Sequence, residues 1–305
     1  KLTCAFGPSG NEKQVSELIT SIIKGKVDDI RTDALENLIC VKKGNGKKIM
    51  LAAHMDQIGI IVTFIDNKGF VRFGNVGGLR PQVILGQRVI FENGTIGVIW
   101  YEENIGDLKN LKLDKMYIDV GATSKEEADK MVKIGDMAVY DAETKLQNGK
   151  LISKSMDDRI GCAILLQLAL NAPKTNNEIY YVFTTQEEVG LRGARTAAFG
   201  IVPDMALAVD VTGTGDTPES KHMAVSLGAG PTIKIKDASV IAHPTVKDRL
   251  IDCAKTANIP YQFEIMMHGG TDAGSIHTTA GGIPSGGVSV PTRHVHSSAE
   301  IVDMS

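Results

Sequence analysis

Aromatic side chains are scarce in this chain: they make up 5% of its 305 residues, with a single Trp. There is no basic stripe interleaved with aromatics. Lys plus Arg (33) falls just short of Asp plus Glu (36), for a formal charge of -3. A nucleic-acid surface, which needs clustered cations and stacking faces, is therefore unsupported. No apolar run reaches the roughly 18 residues of a membrane-spanning helix. The opening KLTCAFGPSGNEKQ lacks the basic-then-apolar layout of a secretory signal. Cys4, Cys40, Cys162 and Cys253 lie far apart without CxxC spacing. Cys162 and Cys253 fall in helical apolar patterns and read as buried thiols, which suits a reducing, cytoplasmic setting.

What is abundant is apolar surface. At 43% of residues it is enough for a large core and two domains. Residues 11–24 carry Val15, Leu18, Ile19, Ile22 and Ile23 in a helical stripe, with Asn11 as the expected N-cap. Residues 49–53 form a continuous apolar run into His54, as in a strand covered on both faces. From about 60 to 147, short β-rich pieces (59–65, 69–73, 87–91, 94–99 and 137–140) suggest a small barrel or sandwich. One helix interrupts it, with Ser124 and Glu127 at capping-box spacing.

After 148, strands (178–184, 205–210, 262–267, 283–290) alternate with helices (158–172, near 193–199, and after Pro244). The expected fold is α/β: a helix-covered, mostly parallel sheet with an inserted small β-barrel-like domain. The expected domains are 1–60 with 148–305, and 61–147 inserted between them.

In such a sheet, ligands bind beyond the carboxyl ends of the strands. His54 and Asp56 follow one strand, Glu187 and Glu188 another, Asp210 ends a third, and His294 or His296 follows a fourth. Asp157 and Asp158 open the helix between two of them. Two His and three carboxylates, with no Cys, form a ligand set suited to zinc, cobalt or manganese. Five ligands exceed one tetrahedral site but serve two metals if one carboxylate bridges. Two metals roughly 3.5 Å apart lower the pKa of a water held between them, and a free carboxylate beside it serves as general base. Asp56 is placed to accept the second imidazole N–H of His54.

Six segments in order, AAHMDQIG (52–59), SMDDRIGC (155–162), TTQEEVGLRGA (184–194), VDVTGTGDTP (209–218), GGTDAG (269–274) and PTRHVHSSAE (291–300), carry a specific resemblance. The chain resembles the tetrahedral aminopeptidase family, the glutamyl and deblocking aminopeptidases among the di-metal exopeptidases. Some members of that family bear the label cellulase M or endoglucanase. The resemblance covers essentially the whole chain.

It implies two divalent metal ions, zinc or cobalt first and manganese next. His54 and Asp210 would hold one, Glu188 and His296 the other, with Asp157 bridging. Asp56 and Asp158 would support the ligands, across a 157–158 peptide that is often cis in relatives. Glu187 would be the general acid/base, and the resemblance selects His296 over His294. Gly270, Thr271 and Asp272 would lie near the substrate, although Thr271 reads equally well as a helix N-cap.

The implied activity is removal of N-terminal residues from short peptides through a metal-bridging hydroxide. The implied assembly is a homo-oligomer of dimers forming a dodecamer, with no nucleic acid or membrane partner. Relatives usually extend beyond both ends of this sequence, and Asp303 or Ser305 reads as an N-cap without its helix. Two other readings compete. An endoglucanase would need two carboxylates and no metal, leaving His54 and His296 without a task. An inactive binding or assembly protein on the same fold would not need a complete ligand set.

Overall fold

A computed structural model describes residues 1–172, 174–220 and 222–305. Among these residues no helix is long and apolar enough to cross a membrane. At the centre of an eleven-stranded sheet, Glu178–Thr184, Lys48–His54, Met205–Thr212 and Ser285–Arg293 lie side by side and parallel. Antiparallel pairs flank them. Asp29–Thr32 and Leu38–Lys42 lie on one side, and Glu300–Asp303, Lys150–Ser153 and Lys145–Gln147 on the other. The sheet as a whole is therefore mixed, with its parallel character concentrated where the expected strands lie. Thr232–Lys236 pairs with both Ser285–Arg293 and Gln262–Ile265.

The continuous apolar runs split by alternation, because successive strand side chains point to opposite faces. Tyr180 and Val182 join Met50 and Ala52 beneath Ala194, Ala197 and Ala198 of helix Arg192–Ile201. Tyr181 and Phe183 join Ala53 on the other face. There they meet Val15 and Ile19 of helix Lys13–Ile23, and Cys162, Leu165 and Leu166 of helix Met156–Leu170. Each large side chain buried this way contributes about 1.5–3 kcal/mol. Both faces are covered, so neither can alternate with polar residues.

Between Lys48–His54 and the return to the sheet, six antiparallel strands close a barrel. Gly59–Ile65, Val71–Val76, Arg88–Phe91, Ile96–Tyr101 and Met137–Tyr140 match expected strands to within two residues at most ends. Met116–Asp119 is a sixth strand beyond the five expected. Its interior is a separate cluster that includes Ile60, Val71, Phe91 and Ile118. Ser124 caps helix Lys125–Met131 by accepting the Glu127 N–H at 3.3 Å. The Glu127 carboxylate reaches one residue further back than a capping box requires, to the N–H and hydroxyl of Thr123.

Several expectations fail locally. Glu12, not Asn11, is the N-cap of Lys13–Ile23, and its carboxylate accepts N–H groups from Gly10 and Gln186 rather than capping the helix. Cys253 is exposed rather than buried, because helix Pro244–Thr256 buries only Val246 and Ala254. Asp272 is the N-cap of the short helix Ala273–Ile276, so Thr271 is not. Asp303 ends a strand paired with Lys150–Ser153, and its side chain accepts from Ser305 instead of starting a helix.

Candidate active site

The parallel register sets His54 directly beside Thr184, so two strands end at one level. The chain beyond Thr184 carries Glu187 and Glu188 across that edge. Asp210 sits near the end of Met205–Thr212, and His296 lies in the turn between Ser285–Arg293 and Glu300–Asp303. Asp157 interrupts the start of its helix with a non-helical ψ of 106°, and the Asp157–Asp158 peptide is cis. All six side chains line one cavity of about 540 Å³.

Asp157 lies between the histidines. One carboxylate oxygen is 3.0 Å from His54 Nε2, and the other is 3.3 Å from His296 Nε2. Two clusters result. His54, Glu187 and Asp210 offer ligand atoms to one point, and Asp157, Glu188 and His296 to another. His54 Nε2 is 3.8 Å from Asp210 and 3.9 Å from Glu187, while His296 Nε2 is 3.1 Å from Glu188. His294, by contrast, is exposed and lies outside this cavity.

The Nδ1 of His54 is 3.0 Å from the backbone carbonyl of Asp56, closer than the 3.4 Å to that residue's carboxylate. A proton on Nδ1 then leaves the Nε2 lone pair facing the cavity. The Asp56 carboxylate serves the backbone instead, accepting from Glu187 N, Glu188 N and Ser9 Oγ. Asp158 faces away from the cavity and accepts the N–H groups of His54 and Gly161. Gly270 lines the cavity, but Thr271 and Asp272 do not: Thr271 donates to Asp237, and Asp272 accepts from Thr184.

Three further residues hold this arrangement. Glu300 accepts the backbone N–H groups of both Asp157 and His296. Buried Arg159 donates to the carbonyls of Met55, Ala5 and Gly7, tying down the segment that carries Ser9. Glu12 fixes Gln186. Glu300 and Arg159 lie inside motifs already singled out, but nothing in their spacing marks the partners they find.

Burial and crowding shift the titration of these groups. Burial first, then neighbouring carboxylates, pushes Glu187 and Asp158 well above their ordinary range, raises Glu188, and lifts Asp210 to about 8. Glu300 is lifted to about 8 by burial and Asp157, and Glu12 to about 7 by burial and Asp56. Burial alone would lower His296, but Asp157 and Glu188 raise it to about 11. Glu188 Oε1 is buried without a hydrogen-bond partner among the described residues. An orphaned carboxylate oxygen among crowded acids and two imidazoles is a donor set that divalent metals fit.

The profile of the M42 glutamyl aminopeptidase family matches residues 36–305. A protein of Acetivibrio thermocellus, whose name assigns it provisionally to the aminopeptidases, is 58% identical over all of this chain and 92% of its own length. The lysyl aminopeptidase of Pyrococcus furiosus is 32% identical over 97% of this chain and 89% of its own. Among solved structures, aminopeptidase APDkam598 of Desulfurococcus kamchatkensis is similar with a TM-score of 0.94 and 39% identity, covering 100% of this chain and 88% of that one. The TET1 peptidase of Pyrococcus horikoshii, which assembles into a tetrahedron or a large octahedral shell, gives 0.88 and 31% over 99% and 92%.

Proposed function

This chain belongs to the M42 glutamyl aminopeptidase family of peptide-bond hydrolases, and from that premise we propose how its residues divide the work. It removes N-terminal residues from short peptides with two divalent metal ions, zinc or cobalt first and manganese next. His54 and Asp210 would hold one and Glu188 and His296 the other, with Asp157 contributing to both. The observation carrying this reading is the position of Asp157, with each carboxylate oxygen facing a different histidine.

Bound metals supply Lewis acidity, which acidifies a water and polarises a carbonyl. Glu187 moves the proton: its carboxylate accepts it from the attacking water and delivers it to the departing amine nitrogen. Asp56 holds the Glu187–Glu188 backbone, Asp158 holds His54, and Glu300 holds Asp157 with His296. A second reading makes Glu187 a ligand of the His54 centre, because its oxygen is close enough to join that cluster. An endoglucanase reading gives neither histidine a task.

Residues 1–60 and 148–305 form the catalytic unit in this reading, and 61–147 an inserted unit with two uses. Gly78 from that insert lines the cavity, which supports a lid. Ile96, Val98 and Trp100 alternate outward on one barrel strand, exposed, which supports contacts between copies. Dimers assembling to a dodecamer in the cytoplasm complete the proposal. Its test is hydrolysis of aminoacyl chromogenic substrates after chelation and reconstitution with zinc, cobalt or manganese. Activity should vanish and return; full activity in the chelated chain would refute it.

A further inference from the structure

Among the described residues, every ionisable side chain lining the cavity is one of the six already named, and none of them is Lys or Arg. The remaining wall is apolar or backbone apart from the hydroxyls of Thr212 and Ser239. Around Gly270, a Cβ would meet Ser239 Oγ at 2.8 Å and Leu191 Cδ1 at 3.6 Å. Around Gly269, it would meet the Met266 methyl at 3.3 Å. These residues form one continuous patch beside the metal ligands.

The cation behind the patch is committed elsewhere. Lys234 is fully buried, bonded to Glu264 and 3.3 Å from Asp237. Asp237 in turn accepts the N–H and the hydroxyl of Ser239 at 2.7 Å each, with Thr271 on its other oxygen. Lys234 therefore braces the wall from behind and does not reach the cavity. Past His296 the site runs into a second cavity that shares Gly78, Gly213, Val295 and His296 with the first. That second cavity carries Arg80, Arg293 and His294.

We infer that the patch formed by Leu191, Ser239, Met266, Gly269 and Gly270 receives an uncharged, apolar N-terminal side chain of leucine or methionine size. The carboxylate-bearing remainder of the peptide leaves past Arg80. An acidic side chain seated on this patch would meet no Lys or Arg among the described lining residues, and the carboxylates nearby would repel it. A lysine side chain would place its ammonium against a thioether and a leucine. This inference rests on the aminopeptidase reading above.

The test compares kcat/KM for the p-nitroanilides of Leu, Met, Glu and Lys with the metal-loaded enzyme. The Leu and Met substrates should exceed the other two by at least about tenfold. Met266→Lys should raise the Glu-to-Leu ratio by about tenfold or more, with metal content unchanged. A measurement without turnover is calorimetric binding of leucinamide and of the α-amide of glutamic acid to the Glu187→Gln chain, where leucinamide should bind more tightly. Glu or Lys equalling Leu in either measurement overturns the inference. Preferential binding of leucinamide with no turnover of any substrate by the native enzyme would sustain it and refute the aminopeptidase reading instead.

Discussion

Asp56 holds Glu187 by its backbone: one carboxylate oxygen accepts the Glu187 N–H at 3.0 Å, and the other accepts the Glu188 N–H at 3.1 Å. The two glutamates would otherwise repel, and their side chains diverge from a main chain pinned at a single buried anion. Asp56→Asn turns an NH₂ group toward one of those donors. That change should cost about 2–4 kcal/mol of stability. It should also lower kcat roughly 10–100-fold by loosening both glutamates. Thermal melts and steady-state kinetics check the two together. Full activity in the variant would show that the pinning is not needed.

Glu187→Gln preserves shape and removes the proton acceptor. Turnover should fall by about 10²–10⁴-fold, the range for losing general acid–base catalysis. Elemental analysis should still find two metals per chain. Loss of one metal equivalent would instead make Glu187 a ligand of the His54 centre.

Much of this site is legible in the sequence because a parallel sheet sends its strand ends to one edge. His54, Asp210 and the Glu187–Glu188 pair could be placed from apolar runs alone. What cannot be read are contacts between segments distant in sequence. Glu300 acts on Asp157 through the pairing of Glu300–Asp303 with Lys150–Ser153, whose register sets Glu300 opposite Ser153. A four-residue strand with alternating partial burial carries too little pattern to announce itself, so its end reads as a helix cap. Cys253 misleads for a related reason: a helix that buries only Val246 and Ala254 keeps the flank of its apolar stripe in solvent.

Metal removal should make stability depend on pH. In the metal-free chain, Glu187, Glu188 and Asp210 have raised folded values against unfolded values near about 4. The folded state then binds more protons than the unfolded one, so stability falls as pH rises from about 4 to about 8, where Asp210 titrates. His54 and His296 act in the same direction, since stability from a raised histidine is lost as pH rises above about 6.5 toward the folded value. Asp157 is held below its ordinary range, and its contribution is lost only at lower pH. Melts in chelator at about pH 5 and about pH 9 should show a drop that the metal-loaded chain lacks. Parallel slopes with and without metal would contradict this.

Gly78 brings the barrel insert against the His296 imidazole. A Cβ there would lie 2.9 Å from His296 Nδ1 and 3.0 Å from Cε1. Gly78→Ala should therefore displace the imidazole and weaken metal binding at that centre by about 10–100-fold. The barrel core, which excludes residue 78, should remain folded. Calorimetric metal titration beside circular dichroism separates the outcomes, and unchanged affinity would show that the ring can yield without cost.

Lys234 tests whether the cavity wall is braced by a buried ion pair. Both Lys234 and Glu264 are fully buried, and Glu264 also accepts from Thr232. Lys234→Met leaves Glu264 without its cation and takes one partner from Asp237, which should cost about 3–5 kcal/mol in urea melts. Lys234→Met combined with Glu264→Gln removes the uncompensated charge and should recover about 1–3 kcal/mol of that loss. Asp237 keeps its bonds to Ser239, Val240 and Thr271 in both variants, so the wall itself should persist. A double variant no more stable than the single one would mean that the uncompensated Glu264 charge is not what the single variant loses stability to.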